Sequence, residues 1–204
     1  MTILPLAFYQ RPTITVACEL LGKVFVRRIG ETLLSGRIVE VEAYHEIGDE
    51  SSHSHRGRRA RNDIMFRDGG HLYVYFTYGM HFCMNVVTEA EGVGAAVLIR
   101  AIEPLEGLEV MRRNRGGDKR DRDLANGPAK LCQALAIGRG ENGLILDGTV
   151  VGAADAPAVA DKDILVSSRV GISRSRELPW RFFLASPWIS PGRPSGRIDA
   201  APSP

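Results

Sequence analysis

The side chains whose types and spacing most suggest chemistry lie between Arg37 and Asn85. RIVEVEAY runs from Arg37 to Tyr44. An acid- and histidine-rich turn to His53 follows, then an arginine-rich loop, then LYVYFTYGMHFCMNVV. Alternate residues of a strand share a face, so Ile38, Glu40, Glu42 and Tyr44 point one way and Val39, Val41 and Ala43 the other. The second set is a core face. The first joins an aromatic ring to two acids, a poor choice for a core and an odd one for a surface. A carboxylate in that setting can orient and deprotonate a water. Glu42 comes first because Tyr44 shares its face; Glu40 competes, and spacing does not choose between them.

Tyr44, Tyr73, Tyr75 and Tyr78 are four of the five tyrosines in the chain. Packing explains any one of them, since aromatic residues favour strands. Together, beside an acid, they can sandwich a flat heterocycle. Tyr78-Gly79-Met80 reads as a hairpin turn carrying large apolar side chains where turns usually carry polar ones. An acid near rings, an aromatic wedge on a loop and a run of arginines suit extraction of a base from nucleic acid and its cleavage.

Other groups are more ambiguous. Arg100 is embedded in the apolar strand AAVLIRAI, so an acidic partner is expected. A structural ion pair would satisfy it; pairing with Glu42, with a water held between them, would be functional. Arg56, Arg58, Arg59 and Arg61 form a basic loop, either a solvated charge run or a phosphate contact. Asn126-Gly127-Pro128-Ala129-Lys130 offers a helix start with a lysine, a phosphate seat that ordinary capping also explains. His45, Asp49 and His53, with His55 following, have metal-ligand spacing only if helical. Gly48, Ser51 and Ser52 oppose a helix, so solvated loop residues are the better reading.

The elements that must position these groups follow from periodicity. Thr13 to Leu21 reads as a short helix ending at Gly22. Lys23 to Ile29 and Leu33 to Tyr44 read as strands joined near Gly30-Glu31, and Ile47 to Arg61 as loop with a helical turn. Leu72 to Phe76 and His81 to Thr88 form a hairpin, and Ala95 to Ile102 is a further strand. Pro104 to Gly107 is expected to open a helix towards Arg113, and Arg112 to Asp123 to be a solvated loop. Asn126 caps a helix begun by Pro128, and Ile164 to Val166 and Trp180 to Ala185 are short strands. Strands paired by short turns, with helices at the ends, indicate an α+β class built on an antiparallel sheet. The domain spans 1–191, and the Pro-, Gly- and Ser-rich stretch 192–204 reads as a disordered tail.

Composition sets limits. The 204 residues are 44% hydrophobic, enough to bury a core without staples. Net charge is only +2, but 22 of the 26 basic residues are Arg. Arginine's planar fork suits phosphate, although a GC-rich genome produces the same bias. Cys18, Cys83 and Cys132 have no paired spacing, which argues against zinc ribbons, iron–sulfur clusters and disulfide scaffolds. No segment approaches membrane-spanning length and MTILPLAFYQRP lacks a signal pattern. A soluble cytoplasmic protein, nucleoid-associated if prokaryotic, is the expectation.

GRIVEVEAY (Gly36 to Tyr44), Asp49, Ser52-His53, Arg61-Asn62, Met65-Phe66, LYVYFTYGMHFCMNVV, VLIRAIEPLEG and GPAKLCQAL closely resemble the alkyladenine (3-methyladenine) DNA glycosylase family. The resemblance extends from about Phe8 to Ser190. It implies one α+β domain with a curved antiparallel sheet, flanking helices and a protruding hairpin. It assigns Glu42 as the base that activates water, with Arg100 and the backbone carbonyl of Val170 holding that water. It makes Tyr44 and Tyr75 the rings stacked on a flipped base, His53 the residue opposite, and Asn85 the group crowding guanine's amine. Tyr78 is the inserted side chain, and Arg58, Arg61 and Lys130 are contacts to the DNA backbone. The implied partner is double-stranded DNA containing damaged purines, met by a monomer with no metal or other cofactor. Two departures stand out: His45-Glu46 where many members have an apolar residue and glycine, and Gly69-Gly70 where Pro-Gly is frequent. Two rivals remain. A metal-dependent hydrolase using His45, Asp49 and His53 predicts sensitivity to chelators, and a non-catalytic damaged-DNA binding module predicts tight binding without base release.

Overall fold

The computed structural model describes residues 1–192; of the tail expected at 192–204, residues 193–204 lie outside the described residues. The fold is a single α+β domain around a curled antiparallel sheet, as the sequence implied. Its strands are β1 (Val24–Ile29), β2 (Thr32–His45), β3 (Leu72–Thr77), β4 (His81–Val87), β5 (Ala95–Glu106), β6 (Val151–Ala154), β7 (Ile164–Ser167) and β8 (Arg181–Leu184). Their order is β3-β4-β5-β2-β1-β6, with β8 pairing both β2 and β7. Helices α1 (Leu6–Tyr9), α2 (Thr13–Leu20), α3 (Leu108–Asn114) and α4 (Pro128–Ala134) flank it.

Strand β2 is central, paired with β1, β5 and β8. Val41 and Ala43 join Ile99, Val97, Met84 and the α2 residues Val16 and Leu20 in the main core. The opposite face is also buried: Glu40 and Glu42 are both 0% exposed. The two-residue period alone suggested one half-polar face, but a central strand is covered on both sides. Here the second cover includes the loop segments that carry Val170 and Ser190, and the two acids engage these together with Arg100, Arg181 and Tyr44 from the strands.

A bulge sets the geometry between β2 and β5. Val41 pairs with Ile99 and Glu40 with Ala101, so Arg100 is an extra residue with no partner across the ladder. A bulge re-aims a side chain that regular alternation would fix. It directs Arg100 towards the face carrying Glu40 and Glu42.

The open edge of the sheet is β3, and residues 142–144 close part of it. Leu72 N–H donates to Leu144 O (2.8 Å), Gly143 N–H to Leu72 O (2.7 Å), and Val74 N–H to Asn142 Oδ1 (2.9 Å). At the other end of the hairpin, Tyr78 and Gly79 both have positive φ (50° and 68°). Phe76, Tyr78 and Met80 are exposed there.

Three expectations need correction. No helix begins at Pro104; β5 continues through Glu106, and α3 starts at Leu108 after Gly107, whose φ is 77°. Pro104 resembled a helix start, but it sits opposite Gly36 beside a register shift, where the ladder tolerates a missing N–H. The charge run 112–123 is not loop throughout: α3 extends to Asn114 and Asp121–Asp123 forms a 3-10 turn, with Arg112 bonded to Glu109 and Asp121. The cap of α4 is Gly127, not Asn126, whose side chain is engaged by Lys130 (2.8 Å).

The Gly69-Gly70 departure also has a packing role. A Cβ at Gly69 would lie 2.5 Å from the carbonyl oxygen of Tyr9, with backbone on both sides and no room to yield. Gly69→Ala should therefore destabilise the fold by about 1–3 kcal/mol in urea denaturation. Gly140→Ala, where nothing lies within 4 Å, serves as the near-neutral comparison. Equal midpoints for the two variants would contradict this packing account.

Candidate active site

β2 delivers Tyr44, β5 Arg100, β3 Tyr73 and Tyr75, and β4 Asn85 to one cavity. The loop after β7 adds Val170, Gly171 and Ile172, the hairpin turn adds Tyr78, and the 49–54 loop adds His53. The cavity measures about 400 Å³. Glu42 lies behind its wall and accepts three hydrogen bonds. Tyr44 Oη donates to Oε2 (2.9 Å), Arg100 Nη1 to Oε2 (3.1 Å) and the Val170 N–H to Oε1 (2.7 Å). All three donors belong to residues that line the cavity. Val170 meets Glu42 through its N–H, a contact separate from the water-holding role that the resemblance gave to its carbonyl.

Arg100 is more heavily engaged than a single ion pair. Its Nε donates to Glu40 Oε1 (2.8 Å) and its Nη2 to Ser190 Oγ (3.2 Å). Arg181 Nε also donates to Glu40 Oε1 (2.7 Å), and Ser190 adds its N–H (2.5 Å) and hydroxyl (2.8 Å). Burial alone would push the Glu40 carboxyl up, but Arg100 and Arg181 together hold it below the usual carboxylate range. Arg100 remains cationic: desolvation opposes its charge, and Glu42 and Glu40 more than offset that.

The rings form the cavity walls. Tyr73 and Tyr75 stack with centroids 5.7 Å apart, and His53 meets Tyr75 edge-on at 4.5 Å. His53 Nδ1 is 3.0 Å from Tyr73 Oη. Burial, with Arg61 nearby, lowers the His53 pKa, so the ring is neutral at neutral pH. Burial pushes the Tyr73 hydroxyl up to about 12, and Tyr44 and Tyr75 are raised as well. The aromatic wall is therefore neutral. Asn85 Nδ2 donates to Tyr73 O (3.2 Å), which fixes the amide against the wall.

A second buried pair supports the loop that carries Val170. Arg169 is 0% exposed, and its fork donates to both oxygens of Asp49 (2.6 and 2.7 Å) and to Ala43 O (3.0 Å). Its guanidinium lies 4.5 Å from the Tyr44 ring centroid. Asp49, which spacing offered as a metal ligand, is thus a partner of Arg169. His45 Nδ1 accepts the Ile47 N–H (3.0 Å), and His53 faces Tyr73, so the three do not converge. Among the described residues no group of three such side chains is gathered for a metal.

The backbone candidates separate. Arg58 is tied to Asp63 (2.7 Å). Arg61 is exposed and lines the recesses on either side of His53. Lys130 is held by Asn126. His45 lines a separate recess with Ile47, Glu89 and Trp180, so this departure does not reach the aromatic cavity. Sequence reasoning missed Asp49 in its pairing role, Arg169, Arg181, Ser190 and Asn62. Asn62 is fully buried and donates to His53 O (2.8 Å), fixing the histidine loop. A readable signal existed for Arg181, an arginine within the apolar strand WRFFL, just as for Arg100.

The model for Methylpurine-DNA glycosylase (MPG) matches residues 7–187. The chain belongs to the methylpurine-DNA glycosylase family. It is accordingly a DNA glycosylase enzyme for alkylated bases. Several curated relatives carry the name "Putative 3-methyladenine DNA glycosylase". The one from Carboxydothermus hydrogenoformans is 48% identical over 183 residues, covering 89% of this chain and 95% of the relative. That of Chlorobium luteolum is 49% identical over 197 residues, covering 96% and 100%. That of Methanoculleus marisnigri is 50% identical over 184 residues, covering 89% and 94%.

Arg169 is the site's most exposed weakness. Asp49→Ala would leave its guanidinium buried without a counter-charge, and breaking such a pair costs about 3–5 kcal/mol. Urea denaturation should show a loss of that size. A loss under about 1 kcal/mol would mean that water or another acceptor replaces Asp49.

Proposed function

We propose that this glycosylase is monofunctional: it flips an alkylated or deaminated purine from duplex DNA and hydrolyses its N-glycosidic bond with water activated by Glu42. The observation that carries this reading is a fully buried carboxylate whose three hydrogen-bond donors all line an aromatic cavity. The substrate class is 3-methyladenine, 7-methylguanine, hypoxanthine and ethenoadenine. The relatives' printed name supports its first member.

A base within a duplex is out of reach, and unstacking it costs about a few kcal/mol. Tyr78 offsets part of that cost by filling the gap. Support comes from its 83% exposure at the hairpin tip and a left-handed backbone, which costs about 1–3 kcal/mol for a non-glycine residue. Arg61 is the better supported phosphate contact, because Arg58 is already paired; Lys130 is the third candidate.

Inside the cavity the extruded base stacks on Tyr44 and Tyr75, with His53 opposite them. Alkylation at N3 or N7 makes the purine cationic, a better leaving group and a better partner for neutral ring faces. Water held by Arg100 and the Val170 carbonyl attacks C1′ and gives its proton to Glu42. The base leaves with the electrons of the glycosidic bond, and an abasic site in an intact strand remains. Asn85 crowds the exocyclic amine that distinguishes guanine from hypoxanthine.

The deciding experiment offers duplexes with each lesion to the parent enzyme and to Glu42→Gln, and identifies released bases by chromatography. The amide cannot take a proton from water, so base release should vanish while lesion binding persists. Undiminished release by the variant would remove Glu42 as the base.

Tyr78→Ala should weaken capture of the extruded base while leaving chemistry on an already extruded one less affected. Stopped-flow fluorescence of a reporter base beside the lesion reads the flipping equilibrium directly. An unchanged equilibrium would leave Tyr78 without a part in flipping.

A further inference from the structure

Glu40 was the rival to Glu42 for the role of base, and its surroundings point elsewhere. It is fully buried and all its donors are charged or fixed: Arg100 Nε, Arg181 Nε, and the N–H and hydroxyl of Ser190. Neither acid lines the aromatic cavity, but all three donors of Glu42 do, whereas of the donors of Glu40 only Arg100 does. Two guanidinium groups meet at one of its oxygens, at 2.8 and 2.7 Å. Such cations repel each other at that distance unless an anion lies between them.

The fork of Arg100 is divided three ways: Nε to Glu40, Nη1 to Glu42 and Nη2 to Ser190. A planar guanidinium held at all three nitrogens has one orientation. The charges alternate in the order Arg181, Glu40, Arg100, Glu42. The other titratable groups around Glu42 add little net charge. Tyr44, Tyr75 and Cys83 are kept neutral by burial. Arg169 is matched by Asp49.

We propose that Glu40 and Arg181 are positioning residues for base excision, which fix the plane of Arg100 and share its charge so that Arg100 stays aimed at the attacking water beside Glu42. This rests on Glu42 acting as the base. With Glu40 neutral, Arg100 would place its whole charge on Glu42. That favours the ionised carboxylate, which then binds a proton less readily. The same cation, released at Nε, would also be free to turn away from the attacking water.

The test is single-turnover base release against pH, with enzyme saturating, for the parent and Glu40→Gln. The acid limb of the profile should move to lower pH by about one unit, as loss of a neighbouring charge predicts. Release at neutral pH should fall about tenfold, the scale of a partly disabled general base. Lesion affinity should stay within about twofold, since Glu40 does not itself line the cavity and meets it only through Arg100.

If Glu40→Gln does not fold, Glu40→Gln with Arg181→Met removes one charge of each sign and keeps the interior balanced. It should show a smaller shift of the acid limb in the same direction, because the lost acid lies nearer Glu42 in the chain of charges than the lost arginine. A folded variant of either kind whose acid limb stays put, or moves to higher pH, overturns the proposal and leaves Glu40 and Arg181 as framework. Glu42→Gln is run alongside. Retained release there sinks the reading of Glu42 as base, an outcome distinct from an unmoved limb in the Glu40 variants.

Discussion

The structure depends on keeping a cluster of buried charges neutral. Glu40, Glu42, Arg100 and Arg181 are each at most 6% exposed, two acids and two arginines from three strands. Removing each ion from water costs several kcal/mol, and only close, well-directed pairing returns it. Strands β2, β5 and β8 must therefore meet in one register for the fold to be stable at all. The geometry that balances these charges also aims Arg100 and the donors of Glu42 at the cavity.

Preorganisation follows from that neutrality. Glu42 has both oxygens engaged before any substrate arrives, and its three donors, which line the cavity, fix its place behind the wall. Arg169 extends the same logic to the loop after β7, since its bonds to Asp49 and Ala43 O bring the neighbouring Val170 N–H onto Glu42. The aromatic wall is held in a similar way, with the Tyr73 hydroxyl at His53, the Tyr73 carbonyl at Asn85 and the His53 carbonyl at Asn62.

Local pattern made much of this legible. The extents of α2, β1, β2, β3 and β4 follow from periodicity and turn chemistry to within a residue or two. The aromatic turn at Tyr78 was readable because it breaks a rule about turns, and Arg100 because it breaks one about strands. The bulge was not readable. Alternation assumes an unbroken ladder, and the extra residues at Val39 and Arg100 arise only when two strands are laid side by side. Arg169 was missed for a related reason: its partner Asp49 lies 120 residues away and no apolar run around it marks it, whereas Arg181 carried the same strand signal as Arg100. Glu40 and Glu42 look alike in sequence, and only the different donors around each tell them apart.

The pocket imposes a demand on β3 that has nothing to do with catalysis. LYVYFT is six residues of aromatic and apolar character without a charge, placed at the outermost position of the sheet. Strands of that composition recruit other chains by edge-to-edge pairing, the first step towards aggregation. Charges or a proline would block such pairing, but they would also spoil the rings that face the cavity. Residues 142–144 resolve the conflict by occupying the backbone groups of Leu72 and Val74 from within the same chain. That short segment lines none of the aromatic cavity, yet it shields the backbone of the strand that forms its wall from pairing with another chain.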